Sequence, residues 1–375
     1  MNKRRQNQKT RKTPKILLIS SIVLILSIAL FYFSRPTMLK ANFIYTGYKE
    51  FTKQGYQKAA ANFDNINNGI LKTNDHILIT GSNSGIGFAS AQKLAQQGAH
   101  VHLACRNATR AEAAKNQILE EDAHAKAESR VSTHILDISD LASIKKFVED
   151  LNEKKIQINT LVNNAGCMVH GSNMEKRVCA KNGYEVNCAT NTLGTYLLTK
   201  YFLDDQMQKQ SLKKVITVSS GGMYTEKLKP DYGMEKNPKI PCSDFPKDAT
   251  QVYAQNKRQQ VVFMEELQAL QKYKDQNVFF ATMHPGWADT NAVRVAMPDF
   301  YEKFEGKWRS PEEGADTICY LATQNFDKDT QNGKFWLDRS VKPTHLTMDF
   351  FGPASKADRS KFMENLNKIA DEFGN

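Results

Sequence analysis

From residue 76 onward, short apolar runs alternate with longer stretches of helical character. Short apolar runs are typical of strands buried on both faces, whereas the longer stretches carry apolar residues at helical spacing. Strands separated by helices predict a parallel sheet with helices covering both of its faces. The predicted strands are 76–80, 100–104, 131–136, 158–162, 214–218 and 278–283, and the predicted helices are 85–97, 109–121 and 141–151.

A glycine-rich segment follows the first predicted strand directly and leads into a predicted helix. Glycines permit a tight turn and let backbone N–H groups approach a pyrophosphate at the helix N-terminus. This placement predicts a dinucleotide site in a Rossmann-type, doubly wound α/β fold, with an ordinary glycine-rich turn as the alternative. The segment reads Thr80-Gly81-Ser82-Asn83-Ser84-Gly85-Ile86-Gly87.

The end of the second predicted strand bears on which dinucleotide binds. An NAD-preferring site usually places Asp or Glu there to hold the ribose 2′-hydroxyl. This chain has Cys105 followed by Arg106. A guanidinium pairs with a 2′-phosphate, so the sequence favours NADP(H) over NAD(H), with a plain surface arginine as the alternative.

Tyr253 and Lys257 stand four residues apart, and Ser220 follows a predicted strand upstream of them. Positions i and i+4 share one helix face, so a phenol and an ammonium come together. A phenol has a pKa of about 10, and we expect the neighbouring cation to draw it towards neutral pH. This pair predicts proton transfer to a carbonyl oxygen. A solvated helix face is the alternative for the pair taken alone.

A rival pair, Tyr232 and Lys236, lies nearer to Ser220 in a loop-rich insert over 221–252. Gly233 and four prolines, at positions 230, 238, 241 and 246, disfavour a continuous helix there. Without a helix, a spacing of four residues does not bring the two groups together. We therefore assign the acid/base role to Tyr253.

These features together resemble the short-chain dehydrogenase/reductase family over about residues 74–340. The resemblance implies that Asp137 contacts the adenine, and that Pro285-Gly286 with Thr290 holds the nicotinamide. It implies four catalytic residues, which are Asn191, Ser220, Tyr253 and Lys257. With the positions already described, the cofactor-binding residues become Gly81, Ser82, Asn83, Gly85, Ile86, Gly87, Arg106, Asp137, Asn164, Ala165, Gly166, Tyr253, Lys257, Pro285, Gly286 and Thr290. The serine–tyrosine gap departs from the family, in which it is often shorter.

The implied reaction interconverts a carbonyl compound and its alcohol by hydride transfer. In this hypothesis Lys257 lowers the pKa of Tyr253 and holds the nicotinamide ribose. Ser220 bonds the developing alkoxide, and Asn191 supports a water chain that returns the proton. The alternative is a non-catalytic nucleotide-binding subunit of a membrane assembly, which turnover of a carbonyl panel would exclude.

The eighteen residues 16–33 carry no charge, and a helix of this length rises about 27 Å, close to the hydrocarbon thickness of a bilayer. We therefore expect a single transmembrane helix over 16–34, behind a basic tail over 1–15. The run exceeds the apolar segment of a usual signal peptide. We favour the endoplasmic reticulum membrane, with a mitochondrial membrane as the alternative.

A linker over 35–73 and a C-terminal extension over 341–375 flank the 74–340 domain. Within the linker, Ile44, Tyr48 and Phe51 recur at helical spacing, so an amphipathic helix either lies on the membrane or packs onto the domain. We favour packing. The positive charges before residue 16 predict that the domain crosses the membrane, whereas a glycan at Asn107 would crowd the adenosine end, which argues against crossing. The orientation stays open.

The net charge of +11 is concentrated at the amino terminus, because residues 1–40 hold nine basic residues and no acidic one. This distribution argues against nucleic acid binding. The six cysteines show no metal-ligand spacing, so we expect no metal site and reduced thiols. We interpret His284 as structural, and a homo-oligomer is compatible with the sequence. Trp287, Phe300, Phe304 and Trp308 suit the pocket of a lipophilic carbonyl or alcohol substrate, with core packing as the alternative.

Overall fold

The structure is a computed structural model that describes residues 37–63, 75–169, 179–235, 248–346 and 352–374. Within these ranges no helix combines the length and the apolar character that a membrane span requires. The predicted anchor, 16–34, lies outside the described residues.

The strands of the described chain are β1 His76–Thr80, β2 His100–Cys105, β3 Val131–Ile135, β4 Thr160–Asn163, β5 Lys214–Val218, β6 Phe279–Met283, β7 Lys334–Leu337 and β8 Ser340–Lys342. The helices are α1 37–46, α2 Lys53–Ala60, α3 Gly85–Gln96, α4 Ala108–Glu121, α5 Ala123–Ala127, α6 Leu141–Glu153, α7 Val186–Cys188, α8 Thr195–Asp204, α9 Gln208–Ser211, α10 Ala249–Ala269, α11 Gln271–Lys274, α12 Asn291–Ala296, α13 Pro298–Lys303, α14 Pro311–Thr323, α15 Lys328–Gln331 and α16 Lys356–Gly374. Two π-helical segments, Gly47–Phe51 and Ala189–Gly194, precede α2 and α8, and a 3-10 turn spans Gly221–Thr225.

The strands form one sheet in the order β3-β2-β1-β4-β5-β6-β7-β8. Neighbouring strands are parallel except β7 and β8, which are antiparallel. The predicted Rossmann-type parallel sheet is therefore confirmed. The chain runs outward from β1 to β3 and then crosses to β4 on the other side of β1. This crossing opens a crevice at the carboxyl ends of β1 and β4, where ligands bind in such sheets.

Each face of the sheet packs against its own layer of helices. Leu78, Leu161 and Phe280 point to the face covered by α6, α8, α10 and α16. Ile77 and Val162 point to the opposite face, which is covered by α3, α4 and α14. This two-sided burial explains why the strands read as continuous apolar runs. Helix α16 belongs to this core, although the sequence placed it in a C-terminal extension.

The segment before β1 packs onto the domain, as we favoured from the sequence. Phe51 is 1% exposed. The Arg309 guanidinium donates to the carbonyl oxygens of Glu50 and Thr52 at 2.5 and 3.3 Å. The same guanidinium forms a buried ion pair with Asp338 at 2.6 Å. The π-helical segment Gly47–Phe51 is thus held against the loops that follow β6.

Four histidines form a ladder on the α6 side of β1, β2 and β3. His76 Nδ1 lies 2.8 Å from His102 Nε2, and His102 Nδ1 lies 2.9 Å from His134 Nε2. The His100 ring stacks 4.8 Å from the rings of both His76 and His102. Burial lowers the pKa of His102 to about 2 and that of His134 to about 4, because the imidazolium is poorly solvated there. The ladder is therefore neutral at physiological pH.

Among the cysteines that the structure describes, Cys179 differs from the expectation. Cys105, Cys188 and Cys319 are buried free thiols, and Cys167 is a partly buried free thiol. Cys179 is disulfide-bonded. The expectation that all six cysteines stay reduced is therefore wrong for Cys179.

Candidate active site

Tyr253 lies in the first turns of α10, and Ser220 follows β5 at the carboxyl edge of the sheet. The α10 N-terminus is capped by the Asp248 side chain, which accepts from the backbone N–H groups of residues 250 and 251. Burial raises the pKa of Tyr253 to about 12, and a hydrogen bond with Ser220 acts in the opposite direction. Folding therefore brings the predicted phenol and hydroxyl together and keeps the phenol protonated.

Lys257 lies one turn further along α10 and is 3% exposed. Its Nζ atom donates to the carbonyl oxygen of Val218 at 2.8 Å and lies 5.3 Å from the centroid of the Tyr253 ring. Burial lowers the pKa of Lys257 to about 8. We expected Lys257 to draw the pKa of Tyr253 towards neutrality, and this is wrong for the structure. Burial of the phenol outweighs any such attraction, and the ammonium is bonded to Val218.

The loop between β1 and α3 has the shape of an anion cradle. Gly81 and Gly85 adopt positive φ angles of 64° and 58°, which side chains rarely tolerate. A Cβ atom at Gly87 would lie 2.4 Å from the Asn164 side chain and 2.6 Å from the Gly81 carbonyl oxygen. The Ser84 side chain does not cap α3, whose first turn holds no acidic residue. The α3 N-terminus therefore keeps backbone donors for a phosphate group.

Asn164 and Ala165 brace this loop from the end of β4. The Asn164 side chain donates to the carbonyl oxygens of Thr80 and Gly81 at 2.9 and 3.3 Å. The backbone N–H groups of Asn164 and Ala165 donate to Thr80 Oγ1. A Cβ atom at Gly166 would lie 3.4 Å from Lys257 Nζ. The predicted Asn-Ala-Gly element thus links the glycine loop to the lysine.

Asn191 lies in the π-helical segment before α8 and is fully buried. Its side chain accepts from the Cys167 N–H at 2.9 Å and donates to the Cys167 carbonyl oxygen at 2.8 Å. Its carbonyl oxygen accepts from the Gln260 amide at 2.7 Å. These bonds make Asn191 a brace for the chain beyond Gly166. The sequence contained no signal for Gln260, because a buried amide has no distinctive spacing.

The adenosine end of the crevice lies beyond β2 and β3. Arg106 is exposed and makes no hydrogen bond or ion pair within the described ranges. Ser82 is buried and donates to the Ile79 carbonyl oxygen at 2.8 Å, with its hydroxyl 3.6 Å from the Cys105 thiol. Asp137 accepts from both the backbone and the hydroxyl of Ser139. The guanidinium of Arg106 is therefore available to bind a ligand at the adenosine end of the crevice.

The turn after β6 closes the other end of the crevice. Gly286 has a φ angle of 77°, and a Cβ atom there would lie 2.2 Å from Arg309 Nε. Thr290 caps α12, and its methyl carbon would lie 3.2 Å from a Cβ atom at Gly85. The side chain of Ile86 faces Gly314 of α14, 3.2 Å from a Cβ atom placed there. The Pro-Gly turn and the glycine loop therefore face each other closely.

The four aromatic residues predicted to line a pocket pack against one another instead. Trp287, Phe304 and Trp308 are less than 10% exposed. The Trp287 ring lies 4.6 Å from Phe304 and 5.1 Å from Phe300. The same cluster receives Phe51 from the N-terminal segment. The core-packing alternative describes these rings, which form a wall behind the Pro-Gly turn.

Other sequence features lie apart from the site. Tyr232 stands in a turn rather than a helix, and its hydroxyl donates to Gln251 at 3.2 Å. Its partner in the rival pair, Lys236, lies outside the described residues. Among the residues that the structure describes, no group of three His, Cys, Asp or Glu side chains has a geometry that could hold a metal ion.

Comparison with known proteins agrees with this architecture. A sequence model described as "short chain dehydrogenase" matches residues 75–236. The chain is 39% identical over 327 residues to Dehydrogenase/reductase SDR family member 12 of Bos taurus, covering 87% of this chain and 96% of that protein. It is 30% identical over 274 residues to Retinol dehydrogenase 14 of Mus musculus, covering 70% of this chain and 77% of that protein.

A solved structure shares the fold. It is a putative short chain dehydrogenase from Escherichia coli complexed with NADPH, with a TM-score of 0.52, 18% identity, and coverage of 72% of this chain and 99% of that one. The chain belongs to the short-chain dehydrogenase/reductase family. It is an NAD(P)-dependent oxidoreductase of that family, acting on CH–OH or C=O groups.

Proposed function

We propose that this protein is a membrane-anchored, NADP(H)-dependent oxidoreductase that interconverts a lipophilic carbonyl compound and its alcohol. The observation that carries the proposal is the convergence of Ser220, Tyr253 and Lys257 beside the glycine loop. A partly buried phenol hydrogen-bonded to a serine hydroxyl is a proton donor placed where a carbonyl oxygen can reach it.

The residues of the crevice fit a dinucleotide. The α3 N-terminus and the glycines of its loop would hold the pyrophosphate. Arg106 would pair with the 2′-phosphate, which favours NADP(H), and Asp137 would contact the adenine. Gly166 and the Pro285-Gly286 turn with Thr290 would flank the nicotinamide end. When bound, NADPH supplies the hydride.

Tyr253 moves the proton. Because its pKa is about 12, the phenol is protonated throughout the neutral range and is ready to donate to a carbonyl oxygen. Ser220 orients that oxygen and stabilises the charge that develops on it. Lys257, with a pKa of about 8, carries its charge at and below neutral pH. Alcohol oxidation requires the phenolate, so its rate should rise with pH, because burial raises the pKa of Tyr253.

The substrate class and the location rest on the chain outside the catalytic core. An uncharged run over 16–33 supports a location at a membrane, where apolar carbonyl compounds concentrate. A relative named for retinol, Retinol dehydrogenase 14 of Mus musculus, supports a lipophilic substrate. A disulfide at Cys179 is typical of an oxidising compartment. Together with the basic tail, it favours the lumenal side of the endoplasmic reticulum.

Turnover with the full-length chain in phospholipid nanodiscs tests this function. Reduction of retinaldehyde, a sterol ketone, a long-chain aldehyde and a short water-soluble aldehyde would be followed with NADPH and with NADH. We expect turnover with NADPH and a higher kcat/KM for the apolar substrates. Tight NADPH binding without turnover of any carbonyl would instead support a nucleotide-binding subunit. Protease protection in microsomes tests the orientation.

A further inference from the structure

We propose that His284 is a positioning residue that holds the Ser220 loop in its reactive arrangement, and that Phe51 of the N-terminal segment holds His284 in turn. This inference rests on the proposed function, in which Ser220 bonds the reacting oxygen. The sequence offered only a structural role for His284, since no acid or nucleophile accompanies it.

The His284 ring connects two loops of the site. His284 directly follows β6 and precedes Pro285, and it is 2% exposed. Its backbone N–H donates to the Trp336 carbonyl oxygen at 2.9 Å, which fixes its place in the sheet. Its Nδ1 atom accepts from the Gly221 backbone N–H at 3.1 Å. The bond joins the carboxyl end of β6 to the residue directly after Ser220.

The protonation of the ring follows from its surroundings. Burial, together with the charges of Arg309 and Lys257, lowers the pKa of His284 well below its usual value, so the ring is neutral. Because Nδ1 accepts a hydrogen bond, the proton lies on Nε2. Nε2 has no hydrogen-bond partner in the described structure. Leaving the Nε2–H donor buried without a partner costs free energy, and an apolar side chain at this position would not have that cost. What histidine offers here and an apolar residue does not is the acceptor at Nδ1.

The Gly221 amide controls where the Ser220 hydroxyl points. Ser220 caps the 3-10 turn Gly221–Thr225, and its Oγ atom accepts from the Gly222 N–H at 3.3 Å. The same hydroxyl bonds Tyr253. Without an acceptor for the Gly221 N–H, the turn would move to find one, and the hydroxyl would leave the phenol.

Phe51 prevents the imidazole from tilting. Its ring lies 4.4 Å from the His284 ring at an interplanar angle of 84°. Its carbonyl oxygen accepts from the Trp287 N–H at 2.7 Å. A Cβ atom at Gly221 would lie 2.8 Å from His284 Nε2 and 3.0 Å from Phe51. The three residues therefore pack closely around the imidazole.

Two substitutions separate the acceptor from the volume of the ring. In His284→Asn, Oδ1 replaces Nδ1 as the acceptor, whereas His284→Leu has none. We expect His284→Leu to lower kcat for carbonyl reduction about 100-fold, the cost of a small misplacement, with NADPH affinity unchanged. We expect His284→Asn to restore most of this loss. Phe279→Leu, at the amino end of β6, is a control for destabilisation that does not touch the Ser220 loop.

Amide hydrogen exchange over residues 219–225 tests the bond without any substrate. Protection should fall in His284→Leu and in Gly221→Ala and persist in His284→Asn and Phe279→Leu. The rise of alcohol oxidation with pH should begin at higher pH in His284→Leu, because the Ser220 hydrogen bond lowers the pKa of Tyr253.

Unchanged protection and unchanged kcat in His284→Leu would overturn the inference. A wild-type protein that reduces no carbonyl would overturn the proposed function instead, while the exchange data would still decide the role of the histidine.

Discussion

The sheet carries two clusters of buried or partly buried titratable side chains, and they are partnered in different ways. At the carboxyl edge, Tyr253 and Lys257 are bonded to groups that do not titrate near neutrality, the Ser220 hydroxyl and the Val218 carbonyl oxygen. In the ladder, His76, His102 and His134 are bonded to one another. Burial favours the neutral form in both clusters.

The difference lies in what happens when a proton moves. Tyr253 can lose its proton while Ser220 still donates to it, because a hydroxyl both donates and accepts. A proton added to His102, which uses both ring nitrogens in the ladder, sets one N–H donor against another and breaks a bond. The site is thus built to change protonation, and the ladder resists it at neutral pH. We expect mutation and pH to affect activity at the first cluster and stability at the second.

The largest effect should come from Tyr253→Phe. Loss of the general acid is expected to lower carbonyl reduction by roughly 10²–10⁴-fold, measured as kcat with NADPH. NADPH should still bind, since the glycine loop, Arg106 and Lys257 remain in place. Tyr232→Phe is the matched control, because it removes the hydroxyl of the rival pair. Full activity in Tyr253→Phe would show that Tyr253 is not the general acid.

Acid should destabilise the fold through the ladder. The folded pKa values of His102 and His134 lie below the unfolded value of 6.5. Their stabilisation is therefore complete above pH 6.5 and declines as the pH falls towards 4. We expect a loss on the order of 2 kcal/mol between these limits. Urea unfolding measured against pH should show a weaker slope in His134→Phe, and an identical slope would contradict the ladder's role.

A moderate pH effect on activity should come from Lys257. Its pKa of about 8 means that the ammonium is lost as pH rises through that value. The kcat/KM for NADPH, which reports the free enzyme, should fall up to about tenfold per pH unit above it. Lys257→Met should be slow at every pH and lack this limb. A limb near the ordinary lysine pKa would show that burial does not perturb the group.

The smallest effect should come from Arg106→Ser. Removing an exposed cation should weaken NADPH binding several-fold and leave NADH binding unchanged, because only NADPH has the 2′-phosphate. Fluorescence titration with both cofactors measures the ratio, and Arg110→Ser is a nearby exposed control. An equal loss of affinity for NADPH and NADH would show that Arg106 does not determine the preference for NADPH.

Local spacing made part of this molecule predictable from its sequence. Apolar runs predicted six of the eight strands of the sheet, and the spacing of Tyr253 and Lys257 predicted their shared helix. Strands β7 and β8 are short, and their sequences do not differ clearly from those of turns, so they were not predicted. The docking of the 37–63 segment was anticipated only as one of two alternatives.

Long-range pairs had no sequence signal. His284 and Gly221 are 63 residues apart and meet only because β5 and β6 are neighbours. The ladder depends on strand register, which pairs His76 with His100. The pKa of Tyr253 depends on burial, which spacing does not describe.

Arg309 has a consequence for where the folding unit begins. Its guanidinium is satisfied by backbone oxygens of residues 50 and 52 and by Asp338. The family match starts at residue 75. A fragment that begins at that point would lack the two carbonyl oxygens that accept from the buried Arg309 guanidinium. It would also expose the aromatic residues Trp287, Phe304 and Trp308, which Phe51 covers. A protein trimmed to its family boundaries should therefore aggregate when it is expressed. A start at residue 37 keeps the segment that covers Arg309 and the aromatic cluster.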